Sequence, residues 1–261
     1  MRYLALAASV FVAFTFPAHA VEGEGFHWSG KVAAGHSIEI KGMNGEIRAE
    51  GTAGTEVEVI THKIARHSDP SSVEVEMVER NGDVTICAVY SNDTGGNDCV
   101  PGSGHVKAAV NNDVRVDFEV RVPAGVRFIG RTVNGGITAT ALHSDAEAYT
   151  VNGRIRLFTT GSAQAKSVNG SITAALGNTR WARSREFSTI NGTIDLSLPR
   201  SINADLRAST INGGISTDFP LTAGGSFLGR RISATLGSGG CQLKLTTVNG
   251  GIRLRHNSSQ T

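Results

Sequence analysis

Along most of this chain apolar and polar residues alternate, as in Ala146-Glu147-Ala148-Tyr149-Thr150 and Ile155-Arg156-Leu157. A period of two marks a β-strand with one buried face. Seven times the alternation is interrupted by the same phrase: a hydrophobic residue, Asn, Gly, any residue, then Ile. The copies begin at Met43, Val133, Val151, Val168, Ile190, Ile211 and Val248. Asn and Gly enter left-handed backbone conformations at least cost, so they belong at a corner. Each copy therefore predicts a strand, a tight corner and a second strand. The corners are Asn44-Gly45, Asn134-Gly135, Asn152-Gly153, Asn169-Gly170, Asn191-Gly192, Asn212-Gly213 and Asn249-Gly250.

Six copies crowd into the C-terminal half, where Ile137, Ile155, Ile172, Ile194 and Ile215 recur every 17 to 22 residues. The last gap, Ile215 to Ile252, is 37 residues; Ile232, after Leu228-Gly229-Arg230-Arg231, divides it and is read as a degenerate rung. A small hydroxyl stands two places before six of the asparagines, at Thr132, Thr150, Ser167, Thr189, Thr210 and Thr247, and Phe227 takes that place in the degenerate rung. A fixed period near 20 residues marks a chain that stacks one unit on the next. The fold class is all-β, and two architectures fit. One is a parallel β-solenoid, or β-helix, with Val and Ile columns inside and an asparagine ladder from rung to rung. The other is an antiparallel meander of Asn-Gly hairpins. The meander would leave the hydrophobic column that includes Val151 in water, so the solenoid is favoured.

From Phe26 to Val122 the strands are longer and the repeat is weak, as in Ser37-Ile38-Glu39-Ile40-Lys41 and Val114-Arg115-Val116-Asp117-Phe118. This region is expected to cap the first rung, because a solenoid end left open invites growth through its strand edges. The expected organisation is a leader over 1–20, an N-terminal β region and cap over 21–130, and the Asn-Gly solenoid, continuous with it, over 131–261. The one helical candidate, Asn178 to Arg183, is short.

Arg2, the apolar run Leu4 to Phe16 and Ala18-His19-Ala20 have the pattern of a secretory signal peptide. Export to the periplasm or cell surface of a bacterium follows. No apolar run in the remaining chain reaches the roughly 18 to 20 residues a membrane span requires. Cys87 and Cys99 flank a short polar loop, and in an oxidising compartment they are expected to form a disulfide. Cys241, between glycines and the inward leucines 243 and 245, reads as a buried small hydrophobe. Asp93, Asn97 and Asp98 in that loop offer oxygen ligands without a full calcium pattern, so no metal and no cofactor is expected.

The formal net charge of +2 hides an asymmetry. Residues 21–130 carry −7 and residues 131–261 carry +8. A cationic repeat half suggests a surface for an anionic polymer. Its candidates are Arg154, Arg156, Arg180, Arg183, Arg185, Arg230, Arg231, Arg253 and Arg255, with Trp181 as a stacking partner.

The order of these features, with Phe118-Glu119-Val120-Arg121-Val122-Pro123-Ala124-Gly125 leading into serial Val-Asn-Gly-x-Ile units, resembles the adhesin-domain family of bacterial envelope proteins, whose adhesin label is provisional. The likeness runs from about Phe26 to Leu254. It implies a β-solenoid outside the cytoplasm and brings no catalytic residues.

The favoured function is a non-catalytic exported envelope protein with an adhesin-like binding or scaffold role. Its partner is an anionic glycan or envelope polymer, or an envelope protein; nucleic acid is not expected. The alternative is a β-helix polysaccharide lyase or hydrolase, which needs paired carboxylates. Asp195 and Asp205 fall on different rungs, and His143, near Asp145 and Glu147, reads as a turn residue.

Overall fold

A computed structural model of the chain describes residues 21–90, 98–102, 112–178, 181–220, 226–227 and 230–257. The expected signal peptide, Arg180, and the loop residues Asp93 and Asn97 lie outside the described residues.

The N-terminal part holds β1 (Val21–Gly23), β2 (His27–Gly30), β3 (Ser37–Lys41), β4 (Ile47–Thr52), β5 (Val57–Ala65), β6 (Val73–Arg80), β7 (Asp83–Tyr90) and β8 (Arg115–Pro123). The repeats then supply strands in pairs, the first ending at the Asn and the second starting at the Ile. These pairs are β9 (Arg127–Asn134) with β10 (Ile137–Leu142), β11 (Ala146–Asn152) with β12 (Ile155–Thr159), and β13 (Ala163–Asn169) with β14 (Ile172–Leu176). They continue as β15 (Arg185–Asn191) with β16 (Ile194–Leu198) and β17 (Ala204–Asn212) with β18 (Ile215–Thr217). After β19 (Ser226–Phe227) and β20 (Arg231–Leu236) comes the final pair, β21 (Gln242–Asn249) with β22 (Ile252–His256).

These strands form two 11-stranded sheets. The Ile-side sheet runs β1-β5-β8-β4-β10-β12-β14-β16-β22-β18, with β2 also on β5. The Asn-side sheet runs β19-β20-β17-β21-β15-β13-β11-β9-β3-β7-β6. Pairing between repeats is parallel and in register, Ile137 with Ile155, Ile155 with Ile172 and Ile194 with Ile252. The fold is the parallel solenoid and not the meander of hairpins. β3 pairs with β9 and β4 with β10, so both sheets run on across residue 130, and Asn44 bridges to Asn134 as the first rung. Antiparallel strands then close the N-terminal end, β5 on β8 and β6 on β7.

The corner explains the sequence phrase. Asparagine amides form a ladder on the outside: Asn134 donates to Asn44 at 2.9 Å, Asn152 to Asn134 at 2.8 Å, Asn169 to Asn152 at 2.8 Å and Asn191 to Asn169 at 2.7 Å. Inside, each hydroxyl donates to the glycine carbonyl of the neighbouring rung, as Thr150 does to Gly135 at 2.9 Å and Thr189 to Gly170 at 2.8 Å. Each such bond satisfies a buried carbonyl that would otherwise cost about 1–3 kcal/mol. The Ile column is buried between the sheets, completely except at Ile215, and each side chain gains about 1.5–3 kcal/mol from leaving water.

Four expectations are corrected. The glycines are required less by left-handed backbone than by rung spacing: a Cβ on Gly153 would lie 1.9 Å from the carbonyl oxygen of Gly135, and only Gly45 and Gly250 of the seven have positive φ. The hydrophobic residue before the Asn is outward in the repeat half, with Val151, Ile190 and Ile211 exposed by 38%, 45% and 58%, and only Met43, in the first copy, is buried. It alternates with the inward hydroxyl, so the stacked interior holds the Ile column and not the Val column. With that residue in water, parallel pairing of successive repeats, and not burial of the Val column, is what excludes hairpins. Ile232 marks no rung; β20 runs antiparallel on β17, placing Ile232 opposite Ala208, and covers the sheet edge. Finally, no helix forms at the described residues between Asn178 and Arg183.

The stack also departs from chain order. β21 and β22 insert between the rung of Asn191 and the rung of Asn212. The last copy in sequence is the second to last in space.

Candidate functional site

Counting back five and three residues from each Asn gives two outward columns on the Asn-side sheet. In spatial order the first is Ile129, Glu147, Gln164, Glu186, Lys244 and Arg207; the second is Arg131, Tyr149, Lys166, Ser188, Thr246 and Ser209. Their charges change character along the solenoid.

At the N-terminal end the columns are covered. Arg131 pairs with the buried Glu39 at 2.7 Å, and its guanidinium lies 4.1 Å from the Tyr149 ring centre. Lys41 Nζ donates to the carbonyls of Val100 and Gly102 at 2.7 and 3.1 Å, while the Gly102 N–H donates to Glu39 at 2.8 Å. The Cys87–Cys99 disulfide ties this covering segment to β7. Burial pulls the Lys41 ammonium below its ordinary value, against the raising effect of Glu39. Burial first, then the charge of Glu147, pushes the Tyr149 phenol up. This end is a fastening, not an opening.

In the middle, Glu186 is held by Lys166 at 2.5 Å and Lys244 at 2.9 Å. Hydrogen bonds from those two lysines keep its carboxyl below the ordinary range.

At the C-terminal end the pairing stops. Arg207, Arg230 and Arg231 are exposed, and among the described residues no carboxylate lies within salt-bridge distance of them. Asp205, two places along β17, is engaged by the Thr235 hydroxyl at 3.2 Å. The register sets Arg207 beside Lys244 and Ser209 opposite Arg231. Together with Ser233 and Gln242 they line an open furrow of about 470 Å³. An adjoining furrow shares Ser209, Arg231 and Thr246 but is walled by Ile211 and Val248, with Arg230 at its rim. One depression therefore has a cationic half and an apolar half.

The other expected arginines scatter. Arg154 sits at a corner; Arg156, Arg253 and Arg255 are on the outer face of the Ile-side sheet, where Arg156 is separated from Arg253 by β14 and β16. Arg255 reaches Asp195 at 3.3 Å, and Arg185, largely buried, reaches Asp145 at 3.1 Å. Arg183 stands exposed in the connection before β15. Among the described members of the set, only Arg230 and Arg231 share the furrow. Trp181 is buried and donates its indole N–H to the Asn178 carbonyl at 3.1 Å, so it offers no open stacking surface. Cys241 is half-buried, its Sγ 3.0 Å from the Trp181 carbonyl. Asp195 and Asp205 point from opposite sheets. His143 falls in the turn after β10.

Arg207 and Lys244 escaped the sequence reading. The count from each Asn identifies their column, but chain order sets Arg207 next to Glu186. Insertion of the last repeat gives Glu186 to Lys244 instead and leaves Arg207 unpaired.

Among the described residues no helix is long and apolar enough to cross a membrane. No curated protein matches the chain. Among solved structures it is similar to a provisionally named cell adhesion protein from Clostridium sporogenes, at 11% identity, 90% of this chain, 99% of that one and a TM-score of 0.46. It is also similar to a provisionally named adhesin from Bacteroides fragilis, at 11% identity, 89% and 97% coverage and a TM-score of 0.36. A provisionally named lipid binding protein from Parabacteroides distasonis aligns at 11% identity over 89% and 97%, with a TM-score of 0.23. Residues 132–255, which carry six of the seven Asn-Gly copies, match the family model described as Toastrack DUF4097.

Proposed function

We propose that this chain is a non-catalytic, adhesin-like binding protein of the bacterial envelope that holds an anionic polymer on the C-terminal end of its Asn-side sheet. The observation that carries this reading is the cluster of Arg207, Arg230 and Arg231 with no carboxylate partner among the described residues, on a sheet face where Arg131, Lys166 and Lys244 are each held by a glutamate. Unpaired guanidiniums beside serine and threonine hydroxyls suit phosphate or carboxylate groups, which arginine takes bidentately. A rigid solenoid presents such groups at fixed spacing. Export is proposed from the leader pattern of residues 1–20, and the Cys87–Cys99 disulfide is consistent with an oxidising compartment.

The test is binding of the purified chain to acidic bacterial glycans and phosphate-bearing envelope polymers at low and moderate salt, beside an Arg207→Ser/Arg231→Ser variant. The reading requires salt-sensitive binding that falls about tenfold or more in the variant. Equal binding by both proteins, or none by the parent, removes it.

A further inference from the structure

The furrow's second half has no use for a ligand that is charged throughout. We propose that it takes a monomeric amphiphilic anion, one phosphate or carboxylate group joined to an alkyl body. This rests on the reading of Arg207, Arg230 and Arg231 as an anion site and adds the apolar wall.

Ile211 is the most exposed of the large exposed hydrophobic residues, and it lies one strand from Val248, itself one strand from Ile190. The stripe continues through Val168 and the exposed Val151 to Val133, which is half-buried and also packs against the core. Strands stand about 4.8 Å apart, so these six residues cover about 24 Å in one line across the rungs. Scattered exposed aliphatics are ordinary, whereas a continuous apolar line that ends at unpaired cations is a binding surface. An alkyl chain laid along it gains free energy with each methylene removed from water. The anionic group then meets Arg230 and Arg231 at the rim, where the two halves join.

The charge pattern selects a single molecule over a membrane. Glu147 shares this face with the stripe without an ion-pair partner among the described residues, and Lys166 and Lys244 are already held by Glu186, so an anionic bilayer laid over the whole sheet meets a carboxylate and paired lysines away from the C-terminal end. A monomer confined to the C-terminal end meets furrows lined by Arg207, Arg230 and Arg231 and, among the described residues, by no carboxylate.

Titration calorimetry with dodecyl phosphate below its micelle concentration tests this, beside inorganic phosphate, dodecyl maltoside and vesicles of phosphatidylglycerol. The proteins are the parent chain, Arg231→Ser and Ile211→Ser; both residues are exposed, so both variants should keep the parent melting temperature. Dodecyl phosphate should bind at least about tenfold more tightly than inorganic phosphate or dodecyl maltoside, with about tenfold lost in Arg231→Ser and about fivefold in Ile211→Ser. Inorganic phosphate binding as well as dodecyl phosphate, with Ile211→Ser silent, would overturn the proposal. Vesicle binding without monomer binding would overturn it in favour of membrane docking. Glycan binding sensitive to Arg231→Ser but not to Ile211→Ser, with no dodecyl phosphate bound, leaves the polymer reading standing and removes this one. Dodecyl phosphate bound as expected, with no glycan bound, does the reverse.

Discussion

Asn249 donates its amide to Asn191 at 2.7 Å across 58 residues of chain and accepts from Asn212 at 2.8 Å. The final repeat is thus a wedge between two that precede it, and β17 and β18 have no rung neighbour toward the N-terminus without it. Removing residues 241–261 should strip amide protection from 204–217 while leaving 128–176 protected, as read by hydrogen exchange. A milder version is Leu245→Ala, at a fully buried position, which should cost about 2–5 kcal/mol in denaturant unfolding. Protection of 204–217 that survives truncation would show that this rung holds by its contact with β20.

Glycine substitution separates crowding from conformation. A Cβ on Gly170 would lie 1.8 Å from the Gly153 carbonyl oxygen, and that backbone atom belongs to a rung fixed on both sides. Gly214 follows another Asn-Gly pair and has nothing within 4 Å of such a Cβ. Gly170→Ala should therefore cost about 3 kcal/mol or more, while Gly214→Ala should be neutral or gain about 0.4–1 kcal/mol from the stiffer unfolded chain. Melting temperatures of the two variants decide it. Similar losses in both would mean that local flexibility, not rung spacing, selects these glycines.

How far the sequence revealed the molecule follows from where the information lies. Strand, corner and strand were legible because period-two alternation and Asn-Gly are local, and the hydroxyls were legible as a column, though not as an inward one, because they keep a constant distance from each Asn. Side-chain direction at the corner was not: Val151 and Thr150 are adjacent, and only the corner geometry decides which one faces the core. Rung order was not legible either, because identical Val-Asn-Gly-x-Ile phrases carry no address. Ile232 fitted the period by spacing alone, yet Arg230 and Arg231 before it replace the Asn-Gly that a rung corner needs. The same loss of order hid the site, since Arg207 is recognisable as unpaired only when Lys244 is known to stand between it and Glu186.

Reducing the Cys87–Cys99 disulfide should loosen one end of the stack. The bond joins residues 12 apart, and in the chain-entropy account a loop of that size contributes about 3 kcal/mol. A Cys87→Ala/Cys99→Ala variant should melt lower and unfold at lower denaturant by about that amount. Release of the segment around Val100 and Gly102 should also uncover Lys41 and raise its reactivity toward amine-acylating reagents. Stability lost with Lys41 still unreactive would place the segment's hold in its hydrogen bonds rather than in the disulfide.

Acid should act through two carboxylates held in their charged form. Lysines 166 and 244 keep Glu186 below the ordinary glutamate value of 4.5. The backbone N–H of Ser68, with bonds from His67 and the Ser68 hydroxyl, keeps Asp113 far below the ordinary aspartate value of 3.8. For a group whose folded-state pKa is depressed, the stabilising contribution is complete above the unfolded-state value and disappears as pH falls through the folded one. Melting temperature should thus be flat from neutral pH down to about pH 5 and fall below it as these carboxyls take up protons. Glu186→Gln and Asp113→Asn should each begin with a lower melting temperature at neutral pH and lose less of it on acidification; the Glu186→Gln curve should meet the parent's first, and the Asp113→Asn difference should persist to lower pH because that carboxyl's folded-state value lies much further down. Added salt should shrink the Glu186→Gln difference, because it screens an ion pair with two lysines, and should act less on the Asp113→Asn difference, because the backbone donors of Ser68 and His67 carry no net charge. Parallel curves at every pH would show that neither carboxylate is linked to folding through its charge.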